Sequence, residues 1–179
     1  LCFLLPDIIG FNHYSAQFNF KLFNFIILIS DVVIYNSKEV IKASELNFFD
    51  MVTKLSKHLK RNDGENSHII NISKNLPKLC WILRDFSFVL SPKYSSPTDY
   101  LLKSISNYFK LDPTKIKDVQ NNSTETEDKE MAQEKFMSVK HFFNSINCIT
   151  VPQPSDEGGI NQIDMSKLKK GYKEQIKYI

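Results

Sequence analysis

An arginine and an aspartate stand next to each other, as Arg84 and Asp85, directly after the apolar run 79–83. The run has the length and composition of a strand that is buried on both faces. Two adjacent charges at its end are costly unless each is solvated or paired. A carboxylate at this place can accept two hydrogen bonds from the N1–H and N2–H₂ edge of guanine, which adenine cannot supply. A structural ion pair between the two side chains is the alternative, and these residues alone favour neither interpretation.

A second pair, Asp7 and Gly10, has the D-x-x-G spacing and follows the apolar run 1–5. In nucleotide hydrolases an aspartate of this kind holds a magnesium-bound water, and the glycine brings a backbone N–H close to the terminal phosphate. A turn that ends a strand is the simpler alternative, and the spacing alone favours it.

Strand-like and helix-like segments alternate along the chain. If Asp7 and the Arg84–Asp85 pair belong to one site, the fold formed by these segments must bring them together. The hydrophobic pattern predicts strands at 1–5, 31–35, 79–83 and 148–151. It predicts amphipathic helices at 37–61, with Ser37 as the cap, from 96 onward, and at 131–146. The segment 14–30 fits either a strand or a buried helix. This order is typical of an α/β fold with a mainly parallel sheet, whose ligands bind at the carboxyl ends of the strands.

Composition and charge argue against several kinds of partner. The net charge of +3 is too small to indicate nucleic-acid binding. The three cysteines, Cys2, Cys80 and Cys148, are widely spaced, so we expect reduced thiols, a cytoplasmic location and no zinc site. The most apolar stretch, 22–35, is shorter than the roughly 20 apolar residues that cross a bilayer, so we interpret it as a buried helix followed by a strand.

Two segments depart from the rest in composition. The segment 112–130 has six acidic and three basic residues but only two aliphatic ones, so we predict a mobile acidic loop. The tail 167–179 has five lysines and one glutamate, which predicts a helix with a solvated basic face. We therefore divide the chain into a domain over 1–160 and the start of a following basic helix over 161–179.

Taken in order, these motifs resemble the atlastin and guanylate-binding protein class of large GTPases, in the dynamin superfamily. The Arg-Asp segment 83–87 is the strongest element, because its flanking residues also match. The D-x-x-G segment, the strand 33–36 ending in Tyr-Asn and the helix start 96–101 follow the order of the family. The C-terminal third is more similar to atlastins, through the segment 140–149 and the Pro-Gln-Pro of 152–154.

The resemblance implies an incomplete three-layer α/β/α G domain over 1–160, with the first strands and the phosphate-binding loop missing from this chain, and a helix over 14–30. It implies GTP and Mg²⁺ as ligands, GTP hydrolysis by the complete domain, and a GTP-dependent homodimer through the G domain. It also implies a cytoplasmic location, or the cytosolic face of the endoplasmic reticulum membrane, reached only through segments beyond this chain.

The resemblance also implies a role for particular residues. Asp85 would read the guanine and Arg84 would flank it. Val151 and Pro152 would begin the loop that lies over the base. Gly10 would face the phosphate and Asp7 the metal.

Two departures from the family pattern leave the enzymatic activity open. Ile8 and Ile9 replace polar residues, including an acid, that the family has between the aspartate and the glycine. No G-x-x-x-x-G-K-[ST] loop occurs in the sequence, and the catalytic arginine of the family lies in that loop, so no catalytic residue is assigned. The alternative function is a degenerate, non-catalytic interaction module that has lost nucleotide binding.

Overall fold

Strands and helices alternate in the part of the chain that the computed structural model describes, residues 2–4, 16–62, 76–110, 125–154 and 168–177. In chain order the elements are β1 (Cys2–Leu4), α1 (Ala16–Ile29), β2 (Val32–Lys38), α2 (Ala43–Asn62), β3 (Lys78–Arg84), α3 (Pro97–Lys110), α4 (Glu125–Phe142), β4 (Ser145–Val151) and α5 (Lys170–Ile176). Each of the four predicted strands is found. The segment that sequence left ambiguous contains α1, as the resemblance implied.

The four described strands form one parallel sheet in the order β1-β2-β3-β4. β2 and β3 are paired on both sides, and Val33, Leu79 and Leu83 are fully buried in them. Parallel neighbours need long crossover connections, which helices ordinarily provide. The prediction of an α/β fold with a mainly parallel sheet is confirmed.

An aromatic cluster joins the centre of the sheet to α2. The ring of Trp81 stacks on Tyr35 of β2, with 4.0 Å between ring centroids, and on Phe49 of α2, at 5.7 Å. Phe48 meets the same indole edge-on at 6.4 Å. Large aromatic rings bury much apolar surface and dominate core energetics. The cluster therefore fixes β3, and with it the Arg84 at its end, against α2.

The prediction that Ser37 caps the second helix is wrong, because β2 extends to Lys38 and Ser37 is buried within it. The Ser37 hydroxyl accepts a hydrogen bond from the Nε1–H of Trp81 at 2.8 Å. α2 begins at Ala43 instead, where the backbone N–H of Lys42 donates to the carboxylate of Glu45 at 2.9 Å. A glutamate three residues after the cap that reaches back to the cap N–H is half of a capping box.

The acidic segment is partly helical. α4 begins at Glu125, before the predicted start at Met131, and ends at Phe142 rather than at Ile146. Residues 125–130 therefore belong to a helix and not to a loop, which suits their charge because acidic side chains are favourable near a helix N-terminus. The residues 112–124 of the predicted loop lie outside the described residues. α5 lies where a helix was predicted in the basic tail.

The helices pack on one another and on the sheet. α2, α3 and α4 are in mutual contact, and both α3 and α5 contact β4. α3 buries the side chains of Leu101, Ile105 and Phe109 at helical spacing. No helix within the described ranges combines the length and the apolar character needed to cross a membrane.

Candidate functional site

Three residues at or near strand ends lie in one row at the carboxyl edge of the sheet. Arg84, the last residue of β3, pairs in register with Lys38 of β2 on one side and with Val151 of β4 on the other. Neighbouring strands lie about 4.8 Å apart, so the row spans about 10 Å. Open parallel sheets bind their ligands outside this edge, which makes the row the natural place to look for a site.

Asp85 is the first residue beyond β3, and its backbone is left-handed, with a φ of 55°. Aspartate is one of the few side chains that tolerate this conformation. The peptide groups on both sides of Asp85 are hydrogen-bonded to neighbouring strand ends. The Arg84 carbonyl accepts from the N–H of Glu39, just after β2, at 2.7 Å, and the N–H of Phe86 donates to the Val151 carbonyl at 3.0 Å. Asp85 is thus held from both sides by the backbone.

The side chains of Arg84 and Asp85 do not neutralise each other. Arg84 is exposed and Asp85 is half-buried. Within the residues that the structure describes, no ion pair joins them, so the structural ion pair considered from the sequence is not formed. Because no cation of the described residues lies at contact distance, the carboxylate of Asp85 keeps its hydrogen-bonding capacity for water or for a ligand.

Two residues at this edge were missed by reasoning from the sequence. Lys38 and Glu39 form an exposed ion pair at 3.5 Å, and Glu39 also has a left-handed backbone, with a φ of 64°. The sequence predicted that the strand ends at Tyr35, so both residues were assigned to the following helix. The signal that places them at the edge is the continued pairing of β2 with β3 up to Arg84, which no local pattern displays.

The β4 side of the edge is anchored by the C-terminal helix. Val151 is buried and Pro152 is half-buried. The N–H of Lys169, just before α5, donates to the Pro154 carbonyl at 3.0 Å. A Cβ built on Gly171 would lie at an ordinary contact distance, 3.8 Å, from the ring of Pro152, so this turn of α5 lies beside the proline. The start of the predicted base-covering loop is therefore held in place, and its remainder, 155–159, lies outside the described residues.

A family comparison adds the identity of the domain. The family model described as guanylate-binding protein, N-terminal domain, matches residues 10–179, a range that includes Arg84, Asp85, Val151 and Pro152. The chain belongs to this family. The resemblance to the guanylate-binding protein and atlastin class is confirmed, and this family is a GTPase domain family of the dynamin superfamily. A comparison with curated proteins finds no match.

Membership of the guanylate-binding protein family implies a guanine nucleotide and, typically, Mg²⁺ as ligands. Asp7 and Gly10, predicted at the metal and the phosphate, lie outside the described residues. Among the residues that are described, no group of three His, Cys, Asp or Glu side chains could hold a metal ion. Of the residues that the sequence predicted at the nucleotide, the structure therefore describes Arg84, Asp85, Val151 and Pro152, and it brings them together at the carboxyl edge of β3 and β4.

Proposed function

We propose that the carboxyl edge of β3 and β4 binds the guanine base of GTP, and that Asp85 selects the base. The observation that carries this proposal is the environment of Asp85. The residue is half-buried, and both of its flanking peptide groups are hydrogen-bonded to neighbouring strand ends. A backbone that is already fixed loses no further conformational freedom when a ligand binds, which leaves only the side-chain torsions of Asp85 to be ordered. Membership of the guanylate-binding protein family supports a guanine nucleotide as that ligand.

Base selection would follow from the positions of hydrogen-bond donors. Guanine presents N1–H and N2–H₂, and these two donors match the two oxygens of one carboxylate. Adenine has an unprotonated N1 at the same place, so a carboxylate facing it would lose its partners. The exposed Arg84 would lay its aliphatic stem along the base and balance the charge of Asp85. Val151 and Pro152 would cover the base from the β4 side.

The phosphate side of the site is proposed from the sequence. Gly10 would approach the terminal phosphate and Asp7 would face Mg²⁺, which supplies charge balance during in-line attack of water on that phosphate. We assign no catalytic residue, because the sequence contains no phosphate-binding loop. The role that we propose for the described residues is to bind the base and to select guanine.

Finer assignments are proposed from the resemblance alone. The C-terminal third favours an atlastin-like protein, of which this chain is the C-terminal portion of the G domain. The partner would be a second G domain, bound when GTP is present. The location would be the cytoplasm, or the cytosolic face of the endoplasmic reticulum membrane if segments beyond this chain provide an anchor.

Asp85→Asn tests the base assignment. Asparagine keeps the left-handed backbone and one acceptor but replaces one carboxylate oxygen with a donor, which suits the C2 carbonyl of xanthine. We expect the GMP affinity to fall about tenfold or more, and xanthosine monophosphate to become the better ligand. Titrations of the ¹⁵N-labelled 179-residue chain with millimolar GMP, xanthosine monophosphate and AMP, followed by NMR, measure these affinities even when they are weak.

Glu134→Gln is the matched control, because it makes the same charge change on an exposed face of α4. It should bind GMP as the wild type does. An Asp85→Asn chain that still prefers GMP over xanthosine monophosphate would contradict the assignment.

The second candidate is the non-catalytic interaction module. Two observations favour it. The sequence has no phosphate-binding loop, and Phe88 and Val89, which follow the Asp85 turn, are 57% and 96% exposed. This candidate predicts that none of the three nucleotides shifts the amide signals of Phe86 and Val151.

A further inference from the structure

Two residues with a left-handed backbone face each other across the carboxyl edge, and a hydrogen bond connects their turns. They are Glu39, with a φ of 64°, and Asp85, with a φ of 55°, the non-glycine residues with positive φ in the described part of the chain. Aspartate visits this region readily, whereas glutamate does so rarely. A strained backbone persists only where surrounding contacts determine it, and such residues cluster at functional sites.

The contact at Glu39 determines one of the two peptide planes that flank Asp85. Its N–H donates at 2.7 Å to the carbonyl of Arg84, which belongs to the peptide group between Arg84 and Asp85. The next peptide group is held by the bond from Phe86 N–H to the Val151 carbonyl, at 3.0 Å. With both planes fixed, φ and ψ of Asp85 are fixed. These two angles set the direction in which its Cα–Cβ bond points.

The side chain of Glu39 is occupied elsewhere. Its carboxylate pairs with Lys38 at 3.5 Å, and both side chains are about half exposed. Exposed ion pairs of this kind contribute little to stability. What Glu39 gives to the edge is therefore its backbone N–H, which lies where β2 ends and the left-handed turn begins.

We propose that Glu39 is a positioning residue for the base-reading carboxylate, and that it acts through its backbone N–H and not through its side chain. This inference rests on the proposed function of Asp85. The turn between β2 and α2 thereby becomes part of the base-selecting apparatus without contacting the base. A substitution that disfavours the left-handed turn at position 39 turns the Arg84–Asp85 peptide and moves the carboxylate away from the guanine edge.

Three substitutions at one position separate the backbone from the side chain. Glu39→Gly and Glu39→Asn remove the carboxylate but favour the left-handed turn, whereas Glu39→Val removes the carboxylate and disfavours it, because a β-branched residue is strained there. We expect the Gly and Asn variants to prefer GMP over AMP at least as strongly as the wild type. The Val variant should lose about two- to tenfold of that preference, the equivalent of one neutral hydrogen bond.

Two measurements without nucleotide accompany the titrations. One reports the backbone conformation of Asp85, and the other reports the stability of each variant. The ¹³Cα and carbonyl shifts of Asp85 report its backbone conformation, and we expect them to move in Glu39→Val and to stay in Glu39→Gly. Urea unfolding, followed by the fluorescence of Trp81, identifies a variant that has simply lost its fold. Should Glu39→Val destabilise the whole chain, the comparison of the Gly and Asn variants with the wild type still separates the two roles.

Three outcomes would contradict the inference or the proposal on which it rests. Equal losses in all three variants would assign the role to the side chain and overturn the inference. Wild-type Asp85 shifts and wild-type base preference in Glu39→Val would overturn it as well. An Asp85→Asn chain with unchanged GMP preference overturns the proposed function, and with it the positioning role for a base-reading group, even if the Asp85 shifts respond to Glu39→Val.

Discussion

At the scale of single residues, the thiol of Cys148 and the phenol of Tyr35 hold their protons more tightly than usual. Burial, with a smaller contribution from the neighbouring Cys80, raises the pKa of Cys148 from 9.0 to about 12. Burial, together with the carboxylate of Glu45, raises the pKa of Tyr35 from 10.0 to about 12. As the pH rises through 9.0, the unfolded chain releases the Cys148 proton while the folded chain retains it. The free energy of unfolding is therefore highest well below this pH, and it falls as the pH rises from the unfolded pKa of 9.0 toward the folded pKa of about 12.

We expect the Cys148 thiol alone to lower the free energy of unfolding by about 1 kcal/mol between roughly pH 8.5 and pH 10, because one unit of pKa corresponds to about 1.4 kcal/mol. Urea unfolding across this range, for the wild type and for Cys148→Ala, measures the effect. The alanine chain should be less stable throughout, because it leaves a small cavity, but its stability should decline less with pH. Parallel declines in the two chains would show that the thiol is not the cause.

At the scale of elements, the start of α3 is held by local hydrogen bonds. The hydroxyl of Ser96 accepts from the N–H of Asp99 at 3.1 Å, and the carboxylate of Asp99 accepts from the N–H of Ser95 at 2.9 Å. Pro97 occupies the first helical position, where its missing N–H costs nothing. The carboxylate of Asp99 also accepts a hydrogen bond from the ammonium group of Lys103 at 2.9 Å. This bond is the main reason why the pKa of Asp99 lies below its usual value, and the hydrogen bond from Ser95 is the second.

The same chemical change should have opposite effects at two places in this helix. Ser96→Ala removes the cap and should lower the free energy of unfolding by about 1 kcal/mol. Ser106→Ala lies in the interior of α3, where alanine is the better helix former, and should raise it by a few tenths of a kcal/mol. Urea unfolding of both variants measures the difference. A Ser96→Ala chain that is as stable as the wild type, or more stable, would mean that the cap hydrogen bond contributes nothing in solution.

Elements were predictable where their signals are local. The helix start at 96–99 was predicted from its residue types and is confirmed, because a cap depends on four consecutive residues. Ser37 has the same chemistry as a cap, but its partner is Trp81, 44 residues away, and only the pairing of β2 with β3 decides its role. The start of α4 was missed because polar residues are equally typical of a loop and of the acidic first turns of a helix.

At the scale of the whole molecule, the alternation of strands and helices predicted which strand ends meet. The alternation predicted that Arg84 and Val151 lie at the same edge of the sheet, and the register of β3 with β4, in which these two residues are paired, confirms it. It could not predict that Asp85 turns left-handed or that Glu39 holds the peptide before it, because both depend on two neighbouring strands at once. The roles of Asp7 and Gly10 stay predictions.

The nucleotide has a base end and a phosphate end, and this chain provides for them unequally. For the base end, the site that we propose has the Arg84–Asp85 turn, which is held by two backbone hydrogen bonds. For the phosphate end, the 179 residues contain no G-x-x-x-x-G-K-[ST] segment, whose backbone N–H groups and lysine ordinarily hold the phosphates. The binding free energy of this chain should therefore come almost entirely from the base.

We accordingly expect GMP, GDP and GTP to bind the 179-residue chain with dissociation constants within about threefold of one another, all weaker than micromolar, and without measurable hydrolysis. Each added phosphate brings negative charge without the lysine and the backbone N–H groups of a phosphate-binding loop, and a net charge of +3 is largely screened at physiological salt. NMR titrations in a buffer with Mg²⁺ measure the three constants, and AMP, ADP and ATP give the matched series for the wrong base. A GTP constant tenfold or more below that of GMP would require phosphate-binding groups elsewhere in this chain. Asp7→Ala and Gly10→Val would then decide whether the D-x-x-G segment supplies them, because the first removes the proposed metal ligand and the second would block the proposed backbone approach to the phosphate.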